Sequence, residues 1–267
     1  MKVFISADIE GTTLTTYWKQ TSTLNEPGLS MPHRIQMTRE VVAACEGAIA
    51  AGATEILVKD AHGSGVNILP EMLPECVTLI RNWTGDPLSM AYGCDESFDA
   101  AMFVGYHAGA GRNGNPLSHT ETTRTTKVRL NGMVCSEFLL YSWACAAMGV
   151  PTVLLAGDKN LTEDSRDIHP KAKMVAVKDG RGGSIHALHP KVACDKIRAA
   201  AEEGLKQDLS DALPEIPKHF VFELTYKEHP VAVKMSFYPG CKLVDDLTVR
   251  FETDDFAEVL RCGQFLL

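Results

Sequence analysis

Segments typical of strands alternate with a segment typical of a helix over the first hundred residues, and this alternation constrains the fold more than any other feature. Residues 2–7 and 55–59 are short apolar runs, and residues 31–51 between them carry apolar side chains at helical spacing. Residues 100–105 repeat the strand pattern. Strands that alternate with helices favour parallel pairing. We therefore predict an α/β fold, a three-layer sandwich around a mainly parallel sheet.

The same kind of pattern continues to about residue 207. The dipeptide Asn131-Gly132 is a strong signal for a two-residue turn and predicts a hairpin within residues 127–133. The elements predicted after it are a helix over 136–148, strands over 152–156 and 173–177, a glycine-rich loop over 179–183, and an amphipathic helix over 190–207.

The pattern changes near residue 208. Residues 208–217 hold two prolines and three acids and are the best candidate for a linker. Beyond them we predict strands over 220–224, 231–237 and 247–251, and a last helix over 255–261. We therefore expect two domains, an α/β metal-binding catalytic domain over residues 1–210 and a small α+β domain over residues 211–267.

Composition excludes several classes of protein. The net charge of −8 argues against a nucleic-acid surface, because binding phosphates requires clustered Lys and Arg. No apolar run approaches membrane-spanning length, and the apolar opening Met1–Ser6 is too short for a signal peptide. The eight cysteines include no C-x-x-C pair and are interpreted as reduced core thiols. We expect a cytoplasmic protein that does not contact a membrane.

Acidic residues and histidines follow the predicted strands. Asp8 and Glu10 come directly after the first strand, and an extended backbone would point both carboxylates to one face, where they would repel each other. A cation between them would remove that repulsion. Further such residues follow later strands or precede the helix after the hairpin, namely Asp60, His62, His107, His119 and Glu137.

Oxygen and imidazole ligands without cysteine suit zinc or a similar divalent ion, and a shared carboxylate can join two such ions. Acids at strand ends are also common helix caps and solvated loop residues, so the two interpretations remain open at this level.

Other motifs are weaker. Residues 109–114 spell G-x-G-x-x-G, but Asn115-Pro116 follows where a dinucleotide-binding helix would begin. The loop Arg181-Gly182-Gly183 either cradles an anion or makes a tight connection.

Five short motifs, taken in order and spacing, resemble the D-aminopeptidase family over nearly the whole chain. They are residues 6–11, residues 58–62, residues 105–108, residues 118–120, and Asn131-Gly132 followed by Glu137. The resemblance implies an aminopeptidase that acts on short peptides, with two zinc ions per subunit. It implies Asp8 as the ligand shared by both ions, Glu10 and His107 as further ligands of one ion, and His62 and Glu137 as further ligands of the other.

The resemblance also implies that His119 is the catalytic histidine, either as a nucleophile or as a general acid or base. Asp60 either orients a metal ligand or stabilises a turn. Glu121 either contacts a substrate ammonium group or faces water, and residues 12–28 either line the substrate entrance or form a solvent loop. Family members form ring-shaped homo-oligomers, so a decamer is expected here.

Departures from the family pattern limit what the resemblance implies about the substrate. Cys135 and Ser136 precede Glu137, and Lys59 and Ala61 flank Asp60, where the family usually has other residues. The preference for D- or L-residues therefore stays open. The competing functions are another binuclear metal-dependent amidohydrolase and a non-catalytic ring scaffold stabilised by metal.

Overall fold

The structure is a computed structural model that describes residues 1–22 and 27–267. Its strands are β1 (Lys2–Ala7), β2 (Glu55–Asp60), β3 (Val77–Ile80), β4 (Ala100–Tyr106), β5 (Thr125–Leu130), β6 (Met133–Val134), β7 (Thr152–Asp158), β8 (Lys173–Arg181), β9 (Ser184–Ala187), β10 (Phe220–Tyr226), β11 (Lys242–Leu243) and β12 (Thr248–Thr253). Its helices are α1 (Pro27–Ala50), α2 (Glu137–Ala147), α3 (Lys159–Asp164), α4 (Pro190–Lys206), α5 (His229–Met235) and α6 (Phe256–Leu266). None of the described helices is long and apolar enough to cross a bilayer.

The larger sheet has the strand order β3-β2-β1-β4-β7-β8-β9 and is parallel except for β9. Successive residues of β1 face opposite sides of it, as strand geometry requires. Val3 and Ile5 pack into a core with α1 and α4, whereas Phe4 packs into a second core with α2. The predicted fold class, α/β around a mainly parallel sheet, is confirmed.

The smaller sheet has the order β11-β12-β10-β5-β6 and is antiparallel. The hairpin predicted at Asn131-Gly132 is confirmed, since β5 and β6 pair across it. Phe222 of β10 and Phe138 of α2 belong to the same buried core, which joins this sheet to the larger one. Strands β5 and β6 come long before residue 210, so this sheet combines strands from both predicted domains. The division into domains 1–210 and 211–267 stays a prediction.

The strand predicted over residues 231–237 is wrong, because the chain forms helix α5 there. Pro230 lies in the first turn of this helix, where a missing N–H costs nothing. Val231 and Val233 suggested strand alternation, but Val233 is exposed and Ala232 is the buried residue of the helix. Tertiary packing of one small side chain thus overrides the β-propensity of its neighbours.

The glycine-rich loop predicted over residues 179–183 is shorter than expected. Strand β8 continues to Arg181, which pairs with Ser184 of β9, so only Gly182 and Gly183 form the turn. Gly182 has a φ of 59°, a conformation that glycine adopts without strain. The loop is therefore the tight connection of a hairpin, which was one of the two interpretations.

Three neighbouring parallel strands position the site. Ala7 of β1 pairs with Asp60 of β2 on one side and with Val104 of β4 on the other. These strands therefore end at the same edge of the sheet, and the residues that follow them converge there. The alternation of strands and helices in the sequence is what brings distant residues to this edge.

The chain turns immediately after β1. Strand β1 ends at Ala7, and the next residues fold over β4 through hydrogen bonds from Asp8 N to Val104 O at 2.9 Å and from Gly11 N to Gly105 O at 2.7 Å. The two acids are thus brought together by a turn, and not by an extended strand. A Cβ atom at Gly11 would lie 1.8 Å from the carbonyl oxygen of Tyr106. Only glycine fits at this crossing.

We predict that Gly11→Ala lowers the free energy of unfolding by about 3 kcal/mol, because the new methyl group must push two backbone segments apart. Urea unfolding followed by circular dichroism measures this. Gly28→Ala is the matched control, since nothing lies within 4 Å of a Cβ atom there. Equal stability of both variants would contradict the close approach of the turn after β1 to strand β4.

Candidate metal centre

The two oxygens of the Asp8 carboxylate face two different imidazoles. Asp8 Oδ1 lies 3.4 Å from His62 Nδ1, and Asp8 Oδ2 lies 3.4 Å from His107 Nε2. The carboxylate is only 2% exposed, so water does not solvate its charge. Asp8 therefore lies between two sets of nitrogen and oxygen ligand atoms.

The remaining predicted ligands complete these two sets. His62 Nδ1 lies 2.8 Å from Glu10 Oε2, and His107 Nε2 lies 3.2 Å from Glu137 Oε2. The ligand atoms of each set lie within 4.8 Å of one another, and the sets are Asp8, Glu10 and His62, and His107, His119 and Glu137. The resemblance pairs the ligands differently, Glu10 with His107 and His62 with Glu137. All six predicted site residues nevertheless lie close together, as these distances show.

Main-chain carbonyls fix the orientation of all three imidazole rings. His62 Nε2 lies 3.0 Å from Thr21 O, His107 Nδ1 lies 3.0 Å from Ala108 O, and His119 Nδ1 lies 2.8 Å from Leu117 O. A carbonyl oxygen can only accept a hydrogen bond, so each of these nitrogens carries the proton. In the neutral ring the other nitrogen then presents its lone pair to the carboxylates, as in metal-ligating histidines.

Three atoms at the centre are buried and make no hydrogen bond of good geometry among residues 1–22 and 27–267, namely Asp8 Oδ2, Glu10 Oε2 and His107 Nε2. Glu10 Oε2 and His107 Nε2 nevertheless lie 2.8 Å and 3.2 Å from a side chain of opposite type. Buried polar atoms in proteins are nearly always paired, so a group left unpaired requires an explanation. Two carboxylate oxygens and an imidazole nitrogen are a donor set that suits zinc. The residues present therefore fit a metal ion.

Protons balance these charges when metal is absent. Burial opposes the charged form of His62, but Glu10 and Asp8 outweigh it and raise its pKa well above the ordinary value. Burial likewise opposes the charge of His107, but Glu137 and Asp8 raise its pKa to about 10. Both rings are therefore protonated at neutral pH in the metal-free protein, and a metal must displace those protons.

We predict that the apparent zinc affinity falls as the pH is lowered from 8 to 6. The pKa of His107, raised to about 10, keeps that ring protonated throughout this range, and the pKa of His62 is raised as well. Each proton that zinc displaces weakens binding about tenfold per pH unit. Competition with a chromophoric chelator measures the affinity at each pH. An affinity that does not change over this range would contradict the involvement of both histidines.

His119 lies beside the second set of ligand atoms. Its Nε2 is 3.6 Å from Glu137 Oε1, and its ring stacks on that of His107 with centroids 4.4 Å apart. Burial and the neighbouring His107 lower the pKa of His119. His119 is therefore neutral at pH 7 and able to accept a proton.

Asp60 stabilises the loop that carries His62. Its carboxylate accepts hydrogen bonds from Asn67 N at 2.6 Å, Asn67 Nδ2 at 2.8 Å and Ile68 N at 2.8 Å. Asn67 Nδ2 also donates to the main-chain carbonyl of His62 at 2.7 Å. These contacts favour the interpretation of Asp60 as a turn-stabilising residue that places His62 through its main chain.

Sequence reasoning missed two residues that support the centre. Lys178 is buried in β8 and donates hydrogen bonds to the main-chain carbonyls of Glu10 and Thr15, while burial lowers its pKa to about 8. Asp158 accepts a hydrogen bond from Ala108 N at 2.7 Å and caps α3 through Leu161 N at 2.9 Å. An acid at the end of a strand was a detectable signal for Asp158, whereas Lys178 gave none.

A cavity of about 850 Å³ opens onto the centre. Trp18 and Thr21 line it together with Trp83, so part of the segment 12–28 belongs to its wall, which favours the substrate-entrance interpretation for that part. Residues 23–26 of that segment lie outside the described residues. Glu121 also lines the cavity, and burial together with Glu137 raises its pKa to about 7.

The sequence model of peptidase family M55, described as D-aminopeptidase, matches residues 1–265 of the chain. The chain belongs to the D-aminopeptidase family. Membership in this family confirms the resemblance found in the motifs and the predicted enzyme class, an aminopeptidase. A D-aminopeptidase of Bacillus subtilis (strain 168) is 27% identical, with 97% of this chain and 93% of that protein covered.

A solved structure of the family supports the fold. The chain is similar to the Zn-dependent D-aminopeptidase DppA from Bacillus subtilis, described as a self-compartmentalizing protease, with a TM-score of 0.89 and 24% identity. The likeness covers 100% of this chain and 96% of that one. It confirms the α/β architecture over the full length.

Proposed function

We propose that the chain is a zinc-dependent aminopeptidase that holds two zinc ions per subunit and removes N-terminal residues, D-residues in preference, from short peptides. The observation that carries this is the Asp8 carboxylate, whose two oxygens each lie 3.4 Å from a different histidine. Family membership and the zinc dependence of the similar solved structure support it. Asp8 would then be the ligand common to both ions.

Zinc at such a site supplies Lewis-acid polarisation of a carbonyl and lowers the pKa of water. Glu10, His62, His107 and Glu137 would hold it together with Asp8. Their orientation is fixed beforehand, because main-chain carbonyls hold both imidazole rings and Lys178 holds the main chain at Glu10. This preorganisation lowers the cost of forming the loaded site.

His119 transfers protons in this proposal. Its Nδ1 donates to Leu117 O at 2.8 Å, so Nε2 is the atom that accepts a proton and later returns it to the leaving amine. A neutral ring at pH 7 suits the first of these steps. A general acid or base role is therefore better supported than a nucleophilic one, since bound zinc would lower the pKa of water and so supply a nucleophile without His119.

We predict that His119→Ala lowers kcat about 10²- to 10⁴-fold, which is the usual contribution of a general acid or base, without loss of bound zinc. Steady-state kinetics on a D-alanyl p-nitroanilide and metal analysis by mass spectrometry measure both quantities. His186→Ala is the control, because His186 is exposed on β9. Loss of zinc from His119→Ala would instead make His119 a ligand, and unchanged kcat would remove it from catalysis.

A substrate panel separates this function from its competitors. Zinc-loaded protein is assayed on D- and L-aminoacyl amides, on N-acylated amides and on phosphate esters, which are the substrates of other binuclear hydrolases. We expect turnover of the free-amine amides, faster with D-residues. Preference for N-acyl substrates or phosphate esters would indicate another hydrolase, and no turnover of any substrate would indicate a non-catalytic scaffold.

We further propose that the chain assembles as a homo-oligomeric ring, a decamer, whose sites face an internal chamber that admits short peptides. Exposed aromatic side chains in the C-terminal part are consistent with contacts between subunits, since Phe237 is 82% and Phe265 is 64% exposed. A cytoplasmic location is proposed as well, because the eight free cysteines suit a reducing compartment.

The assembly is tested by light scattering after size-exclusion chromatography. We predict a mass close to ten times the 29.1 kDa of a single chain. Phe237→Ser and Phe265→Ser together should lower the mass if these side chains lie between subunits. A monomer of the unchanged protein would contradict the ring.

A further inference from the structure

Two carboxylates in the cavity are not part of the candidate metal centre, Asp86 and Glu121. The acids that line the cavity among the described residues are Asp8, Glu10, Asp86, Glu121 and Glu137. Three of these are proposed metal ligands. Asp86 caps a turn through a hydrogen bond from Leu88 N at 2.8 Å. Glu121 remains as an acid next to the centre without such a role.

The backbone holds Glu121 against a proposed metal ligand. Its N–H donates to Glu137 Oε1 at 2.6 Å, and its φ is 58°, a left-handed conformation that is unfavourable for a residue with a long side chain. A surrounding structure that enforces such a conformation fixes the direction of the side chain. The side chain lines the cavity.

Tyr141 fixes the carboxylate of Glu121. The Tyr141 hydroxyl donates a hydrogen bond to Glu121 Oε1, and both residues line the cavity. A carboxylate can accept about four hydrogen bonds, so one tyrosine hydroxyl uses only part of its capacity. The orientation is thus set by the protein, while acceptor capacity is left for a ligand.

An aminopeptidase substrate brings a cation to this place. Its α-ammonium group is attached to the carbon next to the scissile carbonyl, so the cation must enter the site when the carbonyl reaches the metal centre. A cation that loses water needs a negative partner. The proposed ligand acids would already neutralise metal. Lys59, which also lines the cavity, is a cation and cannot be the negative partner of the ammonium group.

We propose that Glu121 binds the α-ammonium group of the N-terminal residue of the substrate. This inference rests on the proposed aminopeptidase function. The contact holds the substrate in register, so that the first peptide bond and no later one reaches the centre. Glu121 is thus the residue that requires a free amino terminus.

The test compares a free-amine substrate with the same molecule lacking the amine, D-alanyl p-nitroanilide and propionyl p-nitroanilide. Glu121→Gln should raise KM for the first about 10- to 100-fold, which corresponds to loss of one charged hydrogen bond, with zinc content unchanged. It should leave kcat/KM for the second unchanged, so that discrimination between the two collapses. Glu121→Asp, which keeps the charge, should restore part of the discrimination between the two substrates. Glu96→Gln, a change of an exposed acid, is the matched control.

Each remaining outcome overturns the inference. Equal losses on both substrates, or loss of zinc, would show that Glu121 has a structural role only. Unchanged discrimination would leave the aminopeptidase function standing without Glu121 in it. A defect confined to D-lysyl p-nitroanilide would assign Glu121 to a side-chain ammonium group. No hydrolysis by zinc-loaded unchanged protein would refute the proposed function and this inference together.

Discussion

The burial of three carboxylates around two histidine rings is the constraint on which the rest of the structure depends. Asp8, Glu10 and Glu137 are almost fully buried, and their mutual repulsion is strong where water is excluded. Positive charge must therefore be added to the site, either as protons on His62, on His107 and on Asp8, whose pKa is raised by burial and by Glu10, or as metal ions. Exchange of one kind of cation for the other explains why the protein without metal stays folded around so much negative charge, and why its metal affinity depends on pH.

The scaffold holds these acids in place through its backbone. Parallel strands bring residues 8, 62 and 107 to one edge, and the turn after β1 is so close to β4 that only Gly11 fits there. Lys178 reaches across the sheet edge to the carbonyl of Glu10, at the cost of burying its own amine. At Glu10 the support thus acts on a main-chain atom, whereas Glu137 and Asp8 each accept one main-chain hydrogen bond on a carboxylate oxygen, from Glu121 N and Ile9 N.

Much of this could be predicted from the sequence, because strands, helices and hairpin turns have local patterns. The alternation of elements predicted the sheet, and polar residues after its strands predicted the site. Helix α5 could not be predicted, since burial of Ala232 outweighs a local strand pattern, and β3 is a short, half-buried edge strand. The contacts of Lys178 depend on distant loops. The sequence also could not decide which histidine lies beside Glu10, because that depends on side-chain rotamers and not on strand order.

The most direct measurement is the zinc content of the purified chain and of its Asp8→Asn variant, after zinc loading and dialysis. Asn cannot offer two anionic oxygens to two ions, although it keeps the shape of Asp8. If Asp8 is the shared ligand, the unchanged chain retains two zinc ions per subunit and the folded variant retains no more than one. Two ions in the variant, or none in the unchanged chain, would contradict a binuclear centre built on Asp8.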